Sequence, residues 1–316
     1  MCFSTAASSA NFAARPPGPS PFNMTGHGWS GTLRCPFRYR CPSANNRTSA
    51  RACWQCSRTY CLTTITCGAK SQRARAEGTD AYSLLAAIGH DCVGALQFLP
   101  ADLQPTPAGA IDAVPVSRRE ISAILDNLAS APLGITEDGS FRISIAGAQA
   151  KTALLRWNRR WCKPRGTTAT THIFKPSIGR LPNGVDLRSS VENEYLCLKI
   201  VNALGLPVAH AEMETFGDRR VLIVERFDRL WTADQRLLRL PQEDSCQALS
   251  VPPTLKYESD GGLGITDILK LLRGSDEPLS DQRAFLKANI VFWLIGATDG
   301  HAKNFSIFLS PGGPFA

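Results

Sequence analysis

The sequence predicts an α+β protein of two lobes, one rich in strands and one rich in helices. Three observations predict it. Strand-like stretches cluster at residues 141–176, ahead of one clearly patterned helix and a hairpin. The chain turns helical only late, at 265–273 and 281–296. Strands gathered ahead of helices describe segregated layers rather than alternating βα units. The third observation is a break in composition near residue 77. Residues 1–76 hold ten Lys or Arg and no Asp or Glu, which leaves 25 basic and 27 acidic residues for the rest. The net charge of +8 therefore belongs to the first quarter, and the part with secondary-structure periods is slightly acidic. A basic total that would otherwise point to nucleic acid says little about the globular part.

Residues 1–76 show neither a helical nor a strand period and are rich in Ser, Arg, Pro, Thr and Cys. Seven of the eleven cysteines lie here: Cys2, Cys35, Cys41, Cys53, Cys56, Cys61 and Cys67. Three readings stand. A zinc-dependent nucleic-acid-binding module over 35–67 has one C-x-x-C pair, Cys53 and Cys56, but structural zinc sites use a second pair or spaced histidines. A transit peptide shares the composition but needs an amphipathic stretch. The third and preferred reading is non-native sequence, from a wrong start or a shifted frame. Without carboxylates or apolar clusters, the segment is expected to build no packed domain. The chain has no apolar run of about 18 residues for a membrane helix. It also lacks the apolar stretch of a secretory signal. Cys92, Cys162, Cys197 and Cys246 are scattered singly, as reduced thiols are. A cytoplasmic protein is expected.

Each later element has its own signal. Leu84, Leu85 and Ile88 fall at helical spacing before Gly89, and an apolar strand-like run follows. Residues 100–116, rich in Pro and Ala, read as a linker. Ile121, Ile124, Leu125 and Leu128 place an amphipathic helix over 117–128. Residues 141–145, 152–157 and 172–175 read as strands. Ser189 with Glu192 forms a capping-box pattern, Val191, Tyr195, Leu198 and Val201 continue the helix, and Gly205 with Pro207 ends it. Residues 208–216 and 220–227 flank the turn Gly217-Asp218. The helix over 281–296 is nearly apolar all round and reads as buried.

The chemistry concentrates in Asp299-Gly300-His301-Ala302-Lys303-Asn304, after that apolar helix. Phosphotransferases place a catalytic Asp and a metal-holding Asn five positions apart in such a loop. The Asp accepts the substrate hydroxyl's proton, and the Asn oxygen holds Mg²⁺ on the phosphates. Read alone, Asp-Gly is also a common turn. Upstream, His172-Ile173-Phe174-Lys175 is an apolar strand ending in lysine, where kinases contact nucleotide phosphates. Taken singly it is a solvated strand edge. The order of strand lysine, helix, hairpin and Asp…Asn loop is nevertheless the order of a kinase. Residues 144–152 hold a single glycine and match neither a Walker loop nor a kinase Gly-rich loop. Their small side chains would still let backbone N–H groups approach a phosphate, although a plain hairpin connection fits as well.

Seven motifs carry a resemblance to a known family. They are Ser144–Leu155, Thr171–Lys175, Glu192–Tyr195, Val224–Arg229, Leu240–Asp244, Lys256–Gly262 and Gly296–Phe305. In this order the chain resembles the HipA family of toxin–antitoxin serine/threonine kinases over roughly residues 80–316. The resemblance implies a two-lobed, protein-kinase-like (HipA-like) α+β fold with an incomplete helical C-lobe. It divides the chain into an unmatched segment 1–76, a remnant of the family's N-terminal subdomain with its linker at 77–135, an N-lobe with the ATP loop at 136–240, and the start of the C-lobe with the catalytic loop at 241–316.

The resemblance also implies roles for residues. Ala146, Gly147, Ala148, Gln149, Ala150 and Lys151 would belong to the ATP loop, with Ala150 standing where the family often has Glu. Lys175 would contact phosphates, and Glu225, Arg226 and Phe227 the adenine. Asp299 would be the catalytic base. His301, Ala302, Lys303 and Asn304 would complete the ATP and Mg²⁺ site, Asn304 as the metal ligand. Ser144 matches the family's autophosphorylated serine, where a phosphate would place about −2 charge in the path of ATP. The implied partners are a HipB-like helix-turn-helix antitoxin, operator DNA reached mainly through it, and a protein substrate, typically an aminoacyl-tRNA synthetase. The family's second Mg²⁺ ligand would fall beyond Ala316. The expectation is thus a chain incomplete at its C-terminus, with a catalytically dead remnant that keeps only binding surfaces as the alternative.

Overall fold

A computed structural model describes residues 93–95, 97, 99, 107–129 and 149–309. The expectations for residues 1–76, for the helix at 84–88 and for the strand at 141–145 lie outside the described residues.

The first lobe is built on an antiparallel sheet of six strands. Strands β2 (Thr152–Trp157) and β3 (Arg160–Pro164) form a hairpin whose two turn residues, Asn158 and Arg159, both take positive φ, 49° and 60°. That left-handed pair matches the twist of the strands it joins. Strand β4 (His172–Pro176) lies on the other side of β2, and the hairpin of β7 (Ala211–Phe216) and β8 (Arg219–Glu225) completes the order β1-β3-β2-β4-β8-β7. Two smaller hairpins pair β5 (Gly179–Arg180) with β6 (Asp186–Leu187), and β9 (Arg229–Trp231) with β10 (Leu237–Arg239).

The edge strand β1 (Ala113–Pro115) corrects the sequence reading, which put a linker there. It has three residues, too few for a period to show, and Pro115 lacks an N–H, which an edge tolerates.

A helix covers each face of this sheet. Helix α1 (Arg118–Asp126) starts at a true capping box, in which Ser117 Oγ accepts from the Glu120 N–H and Glu120 accepts from the Ser117 N–H. Its Ile121 and Leu125 pack on Leu154, Phe174, Val221 and Ile223. Helix α2 (Ser190–Ala203) puts Val191 and Leu198 against Leu222 and Val224 on the other face. Alternate residues of β8 thus enter opposite cores, so its run Val-Leu-Ile-Val is apolar throughout.

The predicted capping box of α2 does not form. Ser189 is the N-cap residue, but at φ −92° and ψ 19° its side chain makes no cap bond. An N-cap side chain needs extended backbone to reach back to the first turn. Glu192 instead meets Arg220 on β8 at 2.8 Å.

The second lobe holds β11 (Gln242–Asp244), α3 (Ser245–Ala248), α4 (Ile265–Leu272), α5 (Pro278–Leu294), a 3₁₀ turn at Ala302–Asn304 and β12 (Ser306–Phe308). Its core joins Val201 and Leu206 from the end of α2 to Cys246, Ile268, Phe285, Ala288, Phe292 and Phe305. Here α5 corrects a second expectation. Phe285, Ala288, Val291 and Phe292 are buried, but Ile290 is 59% exposed, Trp293 80% and Leu294 63%. An all-round apolar composition does not supply a neighbour on every side, and no described residue covers that face. No described helix is long and apolar enough to cross a membrane.

Candidate active site

Lys175 stands next to last in β4, opposite Leu222 of β8, on the face that α2 covers. Its Nζ lies 2.7 Å from Glu194 Oε1, with the two side chains 10% and 2% exposed. A buried ammonium needs such a counter-charge. The pair fastens α2 to the sheet and fixes the amine, as the strand-lysine to helix-glutamate pair of kinases does. Sequence reasoning assigned Glu194 no role. The signal was there: Val191, Glu194, Leu198 and Val201 form one buried helical stripe, and a carboxylate on such a stripe calls for a cationic partner.

The end of the predicted ATP loop lies beside this pair. Gln149 Nε2 donates to the Pro176 carbonyl at 2.9 Å. The register Thr152↔Phe174, continued by one residue, sets the buried Lys151 opposite Lys175, with Ala150 exposed just before it. Two buried lysines, one in β4 and one just ahead of β2, suit polyanionic phosphates. Ser144, Ala146, Gly147 and Ala148 lie outside the described residues.

At the end of β8, Glu225 is exposed, and its N–H donates to the His210 carbonyl at 2.8 Å. Arg226 is buried. Its guanidinium bonds to both carboxylate oxygens of Asp228, at 3.0 and 2.9 Å, and to Thr170 Oγ1 at 2.9 Å. Arg229 adds a contact to Asp228 at 2.9 Å, and the Gly94 N–H donates to the same carboxylate. Burial alone would raise the Asp228 carboxyl. The two guanidiniums and the Gly94 N–H outweigh it and hold the group well below the usual carboxylate range. Arg226 therefore serves the lobe's interior with its side chain. The ring of Phe227 meets Phe308 edge-on at 5.9 Å, which joins this connection to β12.

Strand β12 follows the Asp299–Asn304 loop directly and pairs with β11, Asp244 opposite Ser306. Lys303 Nζ sits 2.5 Å from Asp244 Oδ2, while Asp244 Oδ1 caps α3 by accepting the Gln247 N–H at 2.9 Å. One carboxylate thus holds the loop and starts a helix. Ser245 Oγ donates to the Phe305 carbonyl, and the buried Ala302 donates its N–H to the Lys256 carbonyl at 3.2 Å. A side chain at Gly300 would start 3.0 Å from the Phe292 ring, so the loop packs against α5 through a glycine.

Inside the loop, Tyr257 donates its phenol to Asp299 Oδ1 at 2.6 Å. His301 stacks edge-on against the Tyr257 ring at 5.0 Å. Burial, with Lys256 nearby, pushes the His301 imidazole down to about 4, so it is neutral at pH 7. The Asn304 Nδ2 donates to the Asp299 carbonyl at 3.1 Å, and its Oδ1 carries no hydrogen bond among the described residues. An oriented amide oxygen of this kind suits a hard cation. The described residues contain no group of three His, Cys, Asp or Glu that could hold a metal ion. The donor set fits a Mg²⁺ ion bound mostly by phosphate oxygens and water, with Asn304 as a protein ligand.

Comparisons with known proteins bear on the family and the fold. A family model for the HipA-like C-terminal domain matches residues 143–316. Y4mE of Sinorhizobium fredii, a kinase by name, is 40% identical over 237 residues, which cover 74% of this chain and 55% of Y4mE. The serine/threonine-protein kinase toxin HipA of Shewanella oneidensis is 32% identical over 246 residues, 73% of this chain and 54% of that protein. The chain spans about half the length of the curated relatives it matches. A solved Shewanella oneidensis structure of HipA with HipB and operator DNA superposes with a TM-score of 0.65 at 26% identity, over 82% of this chain and 62% of that one. The fold is the protein-kinase-like fold of HipA, and the chain belongs to the HipA family.

Proposed function

We propose that this chain carries the phosphate-binding and catalytic-loop parts of a HipA-type toxin, an ATP-dependent serine/threonine kinase. The observation that supports this most is the buried Lys175–Glu194 pair, together with an Asp299…Asn304 loop whose following strand β12 is joined to the end of β8 through Phe308 and Phe227. On this reading Lys175, with Lys151 beside it, holds the ATP phosphates. The backbone around Glu225–Phe227 meets the adenine, and residues 146–151 cover the phosphates. Asn304 Oδ1 would hold Mg²⁺, which when bound neutralises charge on the transferring phosphoryl group. Asp299 orients the attacking serine hydroxyl and takes its proton as the new O–P bond forms and the bond from the γ-phosphorus to the β–γ bridging oxygen breaks, releasing ADP.

The family's wider biology belongs to the same proposal. A HipB-like helix-turn-helix antitoxin would neutralise the toxin, and operator DNA would be reached mainly through that partner. The substrate would be a protein serine, typically on an aminoacyl-tRNA synthetase, with Ser144 as the autophosphorylation site. A second reading is a catalytically dead remnant that keeps only binding surfaces.

One experiment separates the two. The chain is incubated with ATP and Mg²⁺, and phosphate is mapped by mass spectrometry. Ser144 phosphorylation that disappears in Asp299→Asn supports the kinase reading. No phosphate on any residue supports the remnant. In parallel, Lys175→Ala should weaken ATP binding by about 10- to 100-fold, the loss of one charge-assisted contact worth about 1.5–3 kcal/mol. Unchanged affinity in a folded Lys175→Ala chain would remove β4 from the phosphate site.

A further inference from the structure

Tyr257 belongs to the motif Lys256–Gly262, which the proposed mechanism leaves without a role. We propose that Tyr257 is a positioning residue for the catalytic-loop carboxylate: its phenol holds Asp299 Oδ1 and leaves Oδ2 to receive the substrate hydroxyl's proton. The inference rests on the kinase reading above.

The contact has the geometry of a strong bond. A 2.6 Å O–H···O⁻ distance is that of a charge-assisted hydrogen bond, roughly twice as strong as a neutral one. An Asp carboxylate rotates in a broad two-fold torsion, so a single fixed donor on one oxygen selects its orientation. Among the described residues, Oδ2 carries no hydrogen bond. His301 Nε2, at 3.8 Å from Oδ1, is too far to compete.

The donor is itself held firmly. The Tyr257 carbonyl accepts from the Gly262 N–H at 3.0 Å and from the Asp260 N–H at 3.2 Å. Gly261 takes φ 81° and closes the turn. A Cβ on Gly262 would lie 1.9 Å from the Leu255 carbonyl oxygen, so this backbone approach admits glycine alone. The Ala302 N–H bond to the Lys256 carbonyl ties the same segment to the catalytic loop. Around the ring stand His301 edge-on at 5.0 Å and the Lys256 ammonium at 4.8 Å from the centroid. Burial, then the bond to Asp299, pushes the phenol up to about 12, so it stays a neutral donor at physiological pH. A neutral donor aims the carboxylate without taking the proton it must receive.

The test is Tyr257→Phe, which removes one oxygen and keeps the ring. The readout is the chain's own phosphorylation rate over a range of ATP concentrations. The expected result is a 10- to 100-fold lower rate at saturating ATP, a half-saturating ATP concentration within about twofold, and a nearly unchanged melting temperature. A Tyr257→Phe chain at full rate overturns the proposal. In that case the kinase reading does not suffer, provided Asp299→Asn is dead. A wild-type chain without transfer, or an active Asp299→Asn, sinks the kinase reading and this inference with it. A last arm needs no activity. In the 316-residue chain with ¹³C-labelled tyrosine, Asp299→Ala should move the Tyr257 Cζ resonance; an unmoved resonance denies the contact itself.

Discussion

The two lobes treat apolar sequence differently. In the sheet, Leu154, Phe174, Leu222 and Ile223 are fully buried, because α1 covers one face and α2 the other. On α5, Phe292 is buried while its neighbour Trp293 is 80% exposed. Both stretches read as apolar runs, and only one is enclosed. The difference teaches that burial belongs to the neighbours an element has, not to its composition. The chemistry follows the same division. Lys175 and Glu194 lie in the enclosed lobe, in a setting that forces them together. Asp299 lies in the more open one, its side chain 26% exposed, where on the proposed reading a substrate hydroxyl would reach it.

The comparison can be broken most directly in the sheet lobe. Glu194→Ala takes the counter-charge from a buried lysine and should cost about 3–5 kcal/mol in urea unfolding. Replacing both partners together, Lys175→Met with Glu194→Leu, should recover most of that stability while leaving phosphate binding lost. A double variant as unstable as the single one would mean that the pair itself, rather than the orphaned charge, supports the fold.

Next come the paired aromatic truncations. Phe174→Ala in the sheet and Phe292→Ala on α5 should each cost about 3–5 kcal/mol. Phe174 also loses its edge contact with Trp161 at 4.9 Å and its tilted contact with Phe216 at 5.9 Å. Equal costs would show that the second lobe's core is as well packed as the first's wherever it is covered.

The pH dependence has a smaller effect. His172 in β4 is pushed down to about 4, by burial first, then by Arg156 and His210. It is neutral in the fold, whereas the unfolded chain takes up a proton near pH 6.5. The unfolded state therefore binds more protons between those values. Stability should be flat above about pH 6.5 and fall as pH drops toward 4, by something on the order of 1–3 kcal/mol. His172→Gln should flatten part of that slope in melting curves taken across pH, with His301 retaining the remainder. An unchanged slope would place the acid sensitivity elsewhere.

The smallest expected effect lies on the open face. Trp293→Ala should change unfolding free energy by no more than about 0.5 kcal/mol, because an exposed ring has few contacts to lose. A cost near that of Phe292→Ala would mean that something covers Trp293 in solution, and the contrast between the lobes would narrow.

Much of the fold was legible in the sequence where periods are long. The helix over 117–128, the strands at 152–157 and 172–175, and the hairpin around Gly217-Asp218 all stand close to where their patterns put them. The edge strand β1 and the pairing of β11 with β12 were not legible, since each spans three residues and rests on partners 47 or more positions away. In the candidate site, the Asp299–Asn304 spacing and the lysine at the end of β4 were readable as chemistry. Glu194, Tyr257 and Asp244 were seen only as parts of motifs. Their partners are Lys175, Asp299 and Lys303, at separations of 19, 42 and 59 residues, and no local pattern names such pairs.

By itself, the sequence determined the class of the protein: strands before helices, a charge break near residue 77, and a family's motifs in order. It could do so because hydrophobic period, turn chemistry and residue spacing are local properties of the chain. The tertiary structure alone decided which apolar residues are enclosed, which oxygen of Asp299 is held, and which carboxylate answers each lysine. Those outcomes depend on what a distant segment brings within about 3 Å, and a hydrogen bond or ion pair exists only at that range.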